Sequence, residues 1–122
     1  MKSQVANENT ELLRIHGRPL GPLQAVWDAW EPVTKGIIGK PASHFILTLV
    51  VQIAEILAAL EAGDKAHAAE EMVDLMSVAQ NWMRSIGLSD LEVAEAIVKR
   101  AQERYVGQAA KIMKKYEKAY GV

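Results

Sequence analysis

The stretch VVQIAEILAALEAGD, residues 50–64, decides the fold of this chain. Apolar residues recur at helical spacing through it and just before it: Phe45, Leu49, Ile53, Ile56 and Leu60. This pattern predicts a buried helix from about Ser43, as its N-cap, to Ala62. Gly63 is expected to close that helix, and Asp64 to cap the next one. The stretch therefore predicts two consecutive helices joined by a very short turn.

The pattern continues on the C-terminal side of this turn. A second helix is predicted over roughly 65–86, with its apolar residues at helical spacing: Met72, Leu75, Met76, Ala79 and Met83. Gly87 is expected to end it. Ser89 and Glu92 then form a capping box, which predicts a third helix from about 90 to near 119. Short connections make consecutive helices antiparallel neighbours.

On the N-terminal side the elements are shorter. Residues 23–30, LQAVWDAW, predict a short amphipathic helix that starts after Pro22 and ends at Pro32, and residues 11–15 predict another. Residues 33–41 are expected to form a loop. Because no segment shows sustained period-two alternation, we predict an all-α fold, an antiparallel bundle of three main helices plus short N-terminal helices. The length of 122 residues suggests a single domain, 1–122.

Composition narrows the range of functions. The formal net charge of −1 predicts no broad attraction to duplex nucleic acid or to a membrane, and we expect neither as a partner. The longest apolar run, residues 45–51, is too short to span a bilayer, and no signal peptide is expected, so we predict a cytoplasmic protein. The absence of cysteine excludes thiol catalysis and thiolate metal sites. A metal would need oxygen or histidine ligands, and carboxylates suit magnesium or manganese.

Polar residues form one stripe on each of the first two long helices. Gln52 and Glu55 share a face of the first helix with Thr48, while Glu71 and Asp74 share a face of the second with His67 and Asn81. Glu55 and Glu71 both lie eight residues from Gly63, so the two stripes meet at the same height if the helices are antiparallel. Facing carboxylates repel unless a proton or a cation lies between them. The alternatives are a metal site and an ordinary solvated face.

These segments also resemble a known family. VVQIAEILAALEAGD followed by AAEEMVDLMSVAQNWMRSIGLSDLEVA is similar to the all-α nucleoside triphosphate pyrophosphohydrolases, the MazG-like superfamily. The family signature is E-E-x-x-E, a gap, and then E-x-x-D. Here its first half falls on Val51, Gln52 and Glu55, and its second on Glu71 and Asp74. The resemblance covers residues 42–105 and leaves 1–41 as an N-terminal extension.

The resemblance implies an activity and a set of site residues. Glu55, Glu71 and Asp74 would hold magnesium and carry catalysis, with Gln52 as a neutral fourth ligand. A water would attack the α–β linkage of a nucleoside triphosphate and release a nucleoside monophosphate and pyrophosphate. Lys99 and Arg104 are the nearest matches to the basic residues that meet phosphate. Val51 and Gln52 replace two family acids, so a weakened or inactive nucleotide-binding module is the alternative.

Several further residues have both a structural and a functional interpretation. Trp27 packs in the core or stacks on a base, His44 caps its helix or touches substrate, and Asn81 extends the acidic stripe toward substrate. His16 is a candidate for a pocket lid. The basic segment KIMKKYEKAY, residues 111–120, is a solvated helix end or a contact for acidic partners.

The all-round apolar character of residues 45–60 predicts that the chain assembles as a homodimer or tetramer.

Overall fold

The computed structural model describes residues 17–122, and this part of the chain is all-helical, without a strand. The all-α prediction is confirmed for these residues. A 3₁₀ turn (Glu31–Val33) and a π-helical turn (Ala101–Tyr105) separate some of the helices. The α-helices are α1 (Leu23–Trp30), α2 (Thr34–Ile38), α3 (Ala42–Glu61), α4 (Lys65–Ser85), α5 (Asp90–Arg100) and α6 (Ala109–Tyr120).

The described residues divide into two compact units. One unit is residues 22–90, and the other contains residues 17–21 and 91–122. The first unit holds α1 to α4, and α6 and nearly all of α5 belong to the second. The expectation that residues 1–122 form one domain stays a prediction, and the predicted helix at residues 11–15 lies outside the described residues.

An antiparallel hairpin of α3 and α4 forms the centre of the first unit. Gly63 takes a left-handed conformation with φ of 71°, which an L side chain rarely adopts. The Asp64 carboxylate accepts a hydrogen bond from the backbone N–H of His67 at 3.0 Å, so both the predicted helix end and the predicted cap are confirmed. Farther from the turn, the Phe45 ring stacks on Trp82 with 5.7 Å between centroids.

Two local predictions next to this hairpin were wrong. Ser43 does not cap α3, because the helix already begins at Ala42, after Pro41 in an extended conformation. The segment predicted as a loop contains α2. Its Ile37 is buried and the helix packs against α4, so tertiary burial outweighs the low helix propensity of Gly36.

The predicted continuous helix from 90 to 119 is interrupted. After α5, the chain passes through the π-helical turn, and Val106 then adopts an extended conformation with ψ of 117°. Gly107 follows with φ of 76°, in the left-handed region that ends a right-handed helix. The prediction was wrong because one glycine inside a helical pattern does not reveal its backbone conformation.

Most of the apolar surface of α3 is exposed. Only Phe45 and Ala59 are buried in this helix, whereas Leu47, Val50 and Leu57 are 56–64 % exposed. By length and composition alone α3 is sufficiently apolar to cross a membrane. The uninterrupted apolar run 45–51 alone did not predict this, because it ends at Gln52. The apolar pattern continues beyond Gln52 and Glu55 to the end of α3. A helix that packs against other subunits has the same composition.

Candidate functional site

The polar stripes of α3 and α4 meet at Gln52. Its side-chain amide donates hydrogen bonds to Oε2 of Glu71 on the facing helix and to Oε2 of Glu55 on its own helix, the latter at 3.4 Å. The Glu71 side chain is only 14 % exposed, while Glu55 lies at the surface. The equal height predicted for Glu55 and Glu71 is therefore observed. We call Gln52, Glu55, His67, Glu71 and Asp74 the acidic cluster.

His67 holds the second oxygen of Glu71. Its Nε2 lies 2.9 Å from Glu71 Oε1, one helical turn away, and its side chain is about half exposed. Because Gln52 takes the other oxygen, Glu71 is fixed from both sides. Helical spacing places His67 on the same stripe as Glu71, but the predicted role of the stripe did not include this contact. The i,i+4 spacing of His67 and Glu71 was the signal for it.

The carboxylates in the cluster influence one another's protonation. Hydrogen bonding and repulsion from Glu71 raise the pKa of Glu55, and the charge of Asp74 adds a smaller increase. The hydrogen bond from His67 lowers the pKa of Glu71. In turn, the bond to Glu71 raises the pKa of His67. The cluster therefore favours one firmly ionised carboxylate, Glu71, beside one that binds a proton more readily, Glu55.

The raised pKa of His67 predicts a pH-dependent contact. The stabilisation from His67 is present below the ordinary histidine pKa of about 6.5 and is lost as the pH rises through the raised value of the folded state. We expect NMR titration to place the His67 midpoint above that of an unperturbed histidine. The substitution Glu71→Gln should move it down, whereas Asp74→Asn should leave it in place. An unchanged midpoint in Glu71→Gln would contradict the assigned contact.

The donor set of the cluster suits a hard divalent cation. Two carboxylates from two helices and one amide group converge, and Asp74 is near enough to influence Glu55. Residues 17–122 nevertheless contain no group of three or more His, Asp or Glu side chains arranged to hold a metal ion. In this arrangement the Gln52 amide N–H groups, which carry only a partial positive charge, donate hydrogen bonds to both acids. Rotation of the Gln52 side-chain amide by 180° would direct its oxygen, instead of its N–H groups, toward the space between the acids.

A second polar cluster surrounds Arg84, which the sequence analysis did not single out. This side chain is 2 % exposed, and its guanidinium lies 3.8 Å from the centroid of the Trp27 ring. It donates to the Trp27 backbone carbonyl at 2.7 Å, to Asn81 Oδ1 at 3.1 Å and to Glu31 Oε2 at 3.2 Å. No local pattern pointed to it, because Trp27 and Glu31 lie more than fifty residues earlier.

This second cluster determines where two predicted substrate-binding residues lie. Asn81 is buried and accepts from Arg84, and one face of the buried Trp27 ring is covered by the guanidinium. Asn81 is ten residues after Glu71, about 15 Å along α4. The structure therefore brings both residues together around Arg84 and not beside the carboxylates. A cleft of about 400 Å³ opens here, lined in part by Asp28, Glu31 and Asp90.

The other residues predicted to contact substrate lie outside both polar clusters or outside the described residues. His44 is exposed in the first turn of α3, with its ring edge-to-face against Phe45 at 4.9 Å. Lys99 and Arg104 belong to the other compact unit, and their contact with phosphate stays a prediction. His16, the candidate for a pocket lid, lies outside the described residues.

No family model, curated protein or solved structure matches this chain. The resemblance to the MazG-like superfamily therefore rests on the quoted motifs alone.

Proposed function

We propose that this protein is a magnesium-dependent nucleoside triphosphate pyrophosphohydrolase of the MazG-like type. The observation that carries the proposal is the convergence of Glu55 and Glu71 from two adjacent helices on one amide group, Gln52. These positions are also those at which the family signature falls. A solvated acidic face would not need carboxylates from two helices to share a donor or to shift one another's pKa.

The cluster gives each residue a distinct role in this reaction. Glu71, held by His67 and Gln52, is a fixed anion for metal binding, and Glu55 and Asp74 complete the carboxylate set. Magnesium, when bound, would supply the charge that neutralises the triphosphate. Glu55 is exposed and its pKa is raised, so it is the carboxylate suited to accept a proton from the attacking water. Gln52 positions both carboxylates through the hydrogen bonds of its amide.

The direct test is pyrophosphate release from a panel of canonical and modified nucleoside triphosphates, with magnesium and with manganese. We expect metal-dependent release from at least one substrate. The variant Asp74→Ala should lower it by at least about 100-fold, since removing a metal-binding carboxylate removes charge stabilisation from the transition state. Glu70→Ala is the matched control, because this neighbouring acid is exposed and outside the acidic cluster. Normal turnover by Asp74→Ala would refute the assignment.

The exposed apolar face of α3 supports a further part of the proposal, assembly as a homodimer or tetramer. Large apolar side chains are exposed along α3 and also on α4, where Met72, Val73 and Met76 are 40–48 % exposed. An accumulation of exposed large apolar side chains is typical of an interaction surface in a folded protein. A second copy of the same hairpin is the partner that the family resemblance implies.

Light scattering at micromolar concentration tests this assembly. The wild-type chain should have the mass of two or four copies, and Leu47→Glu should shift it toward the monomer, because a buried unpaired charge opposes association. Val106→Glu is the matched control, since Val106 is 66 % exposed and Leu47 64 %. A monomeric wild-type chain would remove this part of the proposal.

A further inference from the structure

The C-terminal helix α6 divides into an apolar and a basic side. At 100° per residue, one side collects Ile112, Met113, Tyr116 and Tyr120. The opposite side collects Lys111, Lys114, Lys115 and Lys118. This separation is cleaner than that of α3, which is apolar on nearly all sides. The helix has the pattern of a segment that lies along a boundary between water and an apolar phase.

The apolar side of α6 is exposed to solvent. Met113 is 63 % exposed, Tyr116 48 % and Tyr120 72 %. The rings of Tyr116 and Tyr120 stack on each other with 6.0 Å between centroids, so the two aromatic groups present one continuous surface. Tyrosine combines an apolar ring with a polar hydroxyl, which suits the headgroup level of a bilayer. Gly121, with φ of 70°, ends the helix directly after this surface.

Charge is distributed very unevenly along the chain. Four lysines and one glutamate give residues 109–122 a side-chain charge of +3, so the rest of the chain carries −4 within the total of −1. The expectation that no membrane is a partner rested on that total. Salt screens electrostatic interactions beyond about 8–10 Å, so a surface interacts mainly with the charges nearest to it. A segment with a local charge of +3 is therefore attracted to an anionic surface even when the whole chain is nearly neutral.

We propose that α6 is a peripheral anchor that binds the surface of an anionic lipid bilayer. Met113, Tyr116 and Tyr120 would enter the headgroup boundary, while the lysine stems extend to the phosphates. The positive charge selects an anionic lipid surface over a neutral one. The inference does not depend on the proposed hydrolase activity, because it uses no residue of the acidic cluster.

Vesicle co-sedimentation of the full-length chain tests the proposal. We expect binding to phosphatidylcholine vesicles that contain phosphatidylserine, little binding to phosphatidylcholine alone, and loss of binding at high salt. The triple variant Lys111→Gln, Lys114→Gln, Lys115→Gln should bind about 100-fold more weakly, since each basic residue near the surface contributes about 1 kcal/mol. The triple variant Lys35→Gln, Lys40→Gln, Lys65→Gln changes the charge equally, at exposed positions of the other unit, and should bind as the wild type does.

A second variant tests the apolar side. Tyr116→Glu should also abolish vesicle binding, and circular dichroism should show that the helical content of the chain is retained. Three results would overturn the proposal. They are equal weakening by both lysine triples, no binding to anionic vesicles at low salt, and salt-independent binding to neutral vesicles. The last result would instead indicate insertion of α3, the helix that is apolar enough to cross a bilayer.

Discussion

Replacing Arg84 by alanine is expected to lower the free energy of unfolding by about 2–4 kcal/mol. The guanidinium is almost completely buried, packs on Trp27 and donates to the Trp27 carbonyl, so its removal leaves a cavity and a buried acceptor without its donor. The ion pair with Glu31 contributes little of this loss. The Glu31 side chain is 66 % exposed, and exposed pairs are worth about 0–1 kcal/mol.

Urea denaturation followed by circular dichroism measures this loss. Arg100→Ala is the matched control, because Arg100 is an exposed arginine in the last turn of α5 and its loss should change stability by less than about 0.5 kcal/mol. Glu31→Gln should cost at most about 1 kcal/mol, which separates the ion pair from the packing. A change below about 1 kcal/mol in Arg84→Ala would show that the buried contacts do not stabilise the fold.

The second large effect is expected from Gln52→Glu, which adds an acid at the position where the signature of the resembled MazG-like family has one. The substitution removes the donor that Glu55 and Glu71 share and places a third negative charge between them. Without a divalent cation we expect a lower melting temperature, because the added carboxylate would repel the neighbouring carboxylates of Glu55 and Glu71. With magnesium, the added ligand should increase metal affinity at least about tenfold, and the melting temperature should rise with magnesium concentration.

Two control variants make this result interpretable. Gln52→Ala removes the donor without adding charge and should not gain magnesium affinity, while Gln108→Glu adds the same charge at an exposed position in the other unit. A gain of hydrolysis in Gln52→Glu would indicate an intact catalytic scaffold that lacks one ligand. The absence of any magnesium effect would contradict a metal site in the acidic cluster and would favour the inactive, interacting module.

The sequence predicted the parts of this fold that depend on local chemistry. The α3–α4 turn followed from Gly63 and Asp64, and helical rise alone placed Glu55 near Glu71. The contact between His67 and Glu71 was equally readable from spacing, although it was not assigned. These features share one property: every interacting group lies within one helix or within two helices joined by a short turn.

What the sequence did not predict depends on distant partners or on backbone conformation. Helix α2 forms around the buried Ile37, whose burial requires α4 to be in place. From the sequence of its helix, Arg84 resembles an ordinary surface arginine. Its burial depends on contacts with Trp27 and Glu31, which lie far earlier in the chain. The break at Gly107 arises from a positive φ value, which periodicity does not encode.

The acidic cluster has a further consequence because all its members lie between residues 52 and 74, on either side of a single turn. Contacts so close along the chain have low contact order, which correlates with rapid folding. An insertion elsewhere in the chain would therefore not separate these groups from one another, whereas loss of α1 would remove the Trp27 contacts of Arg84. The hairpin of residues 42–85 thus keeps the whole acidic cluster on one continuous segment of the chain.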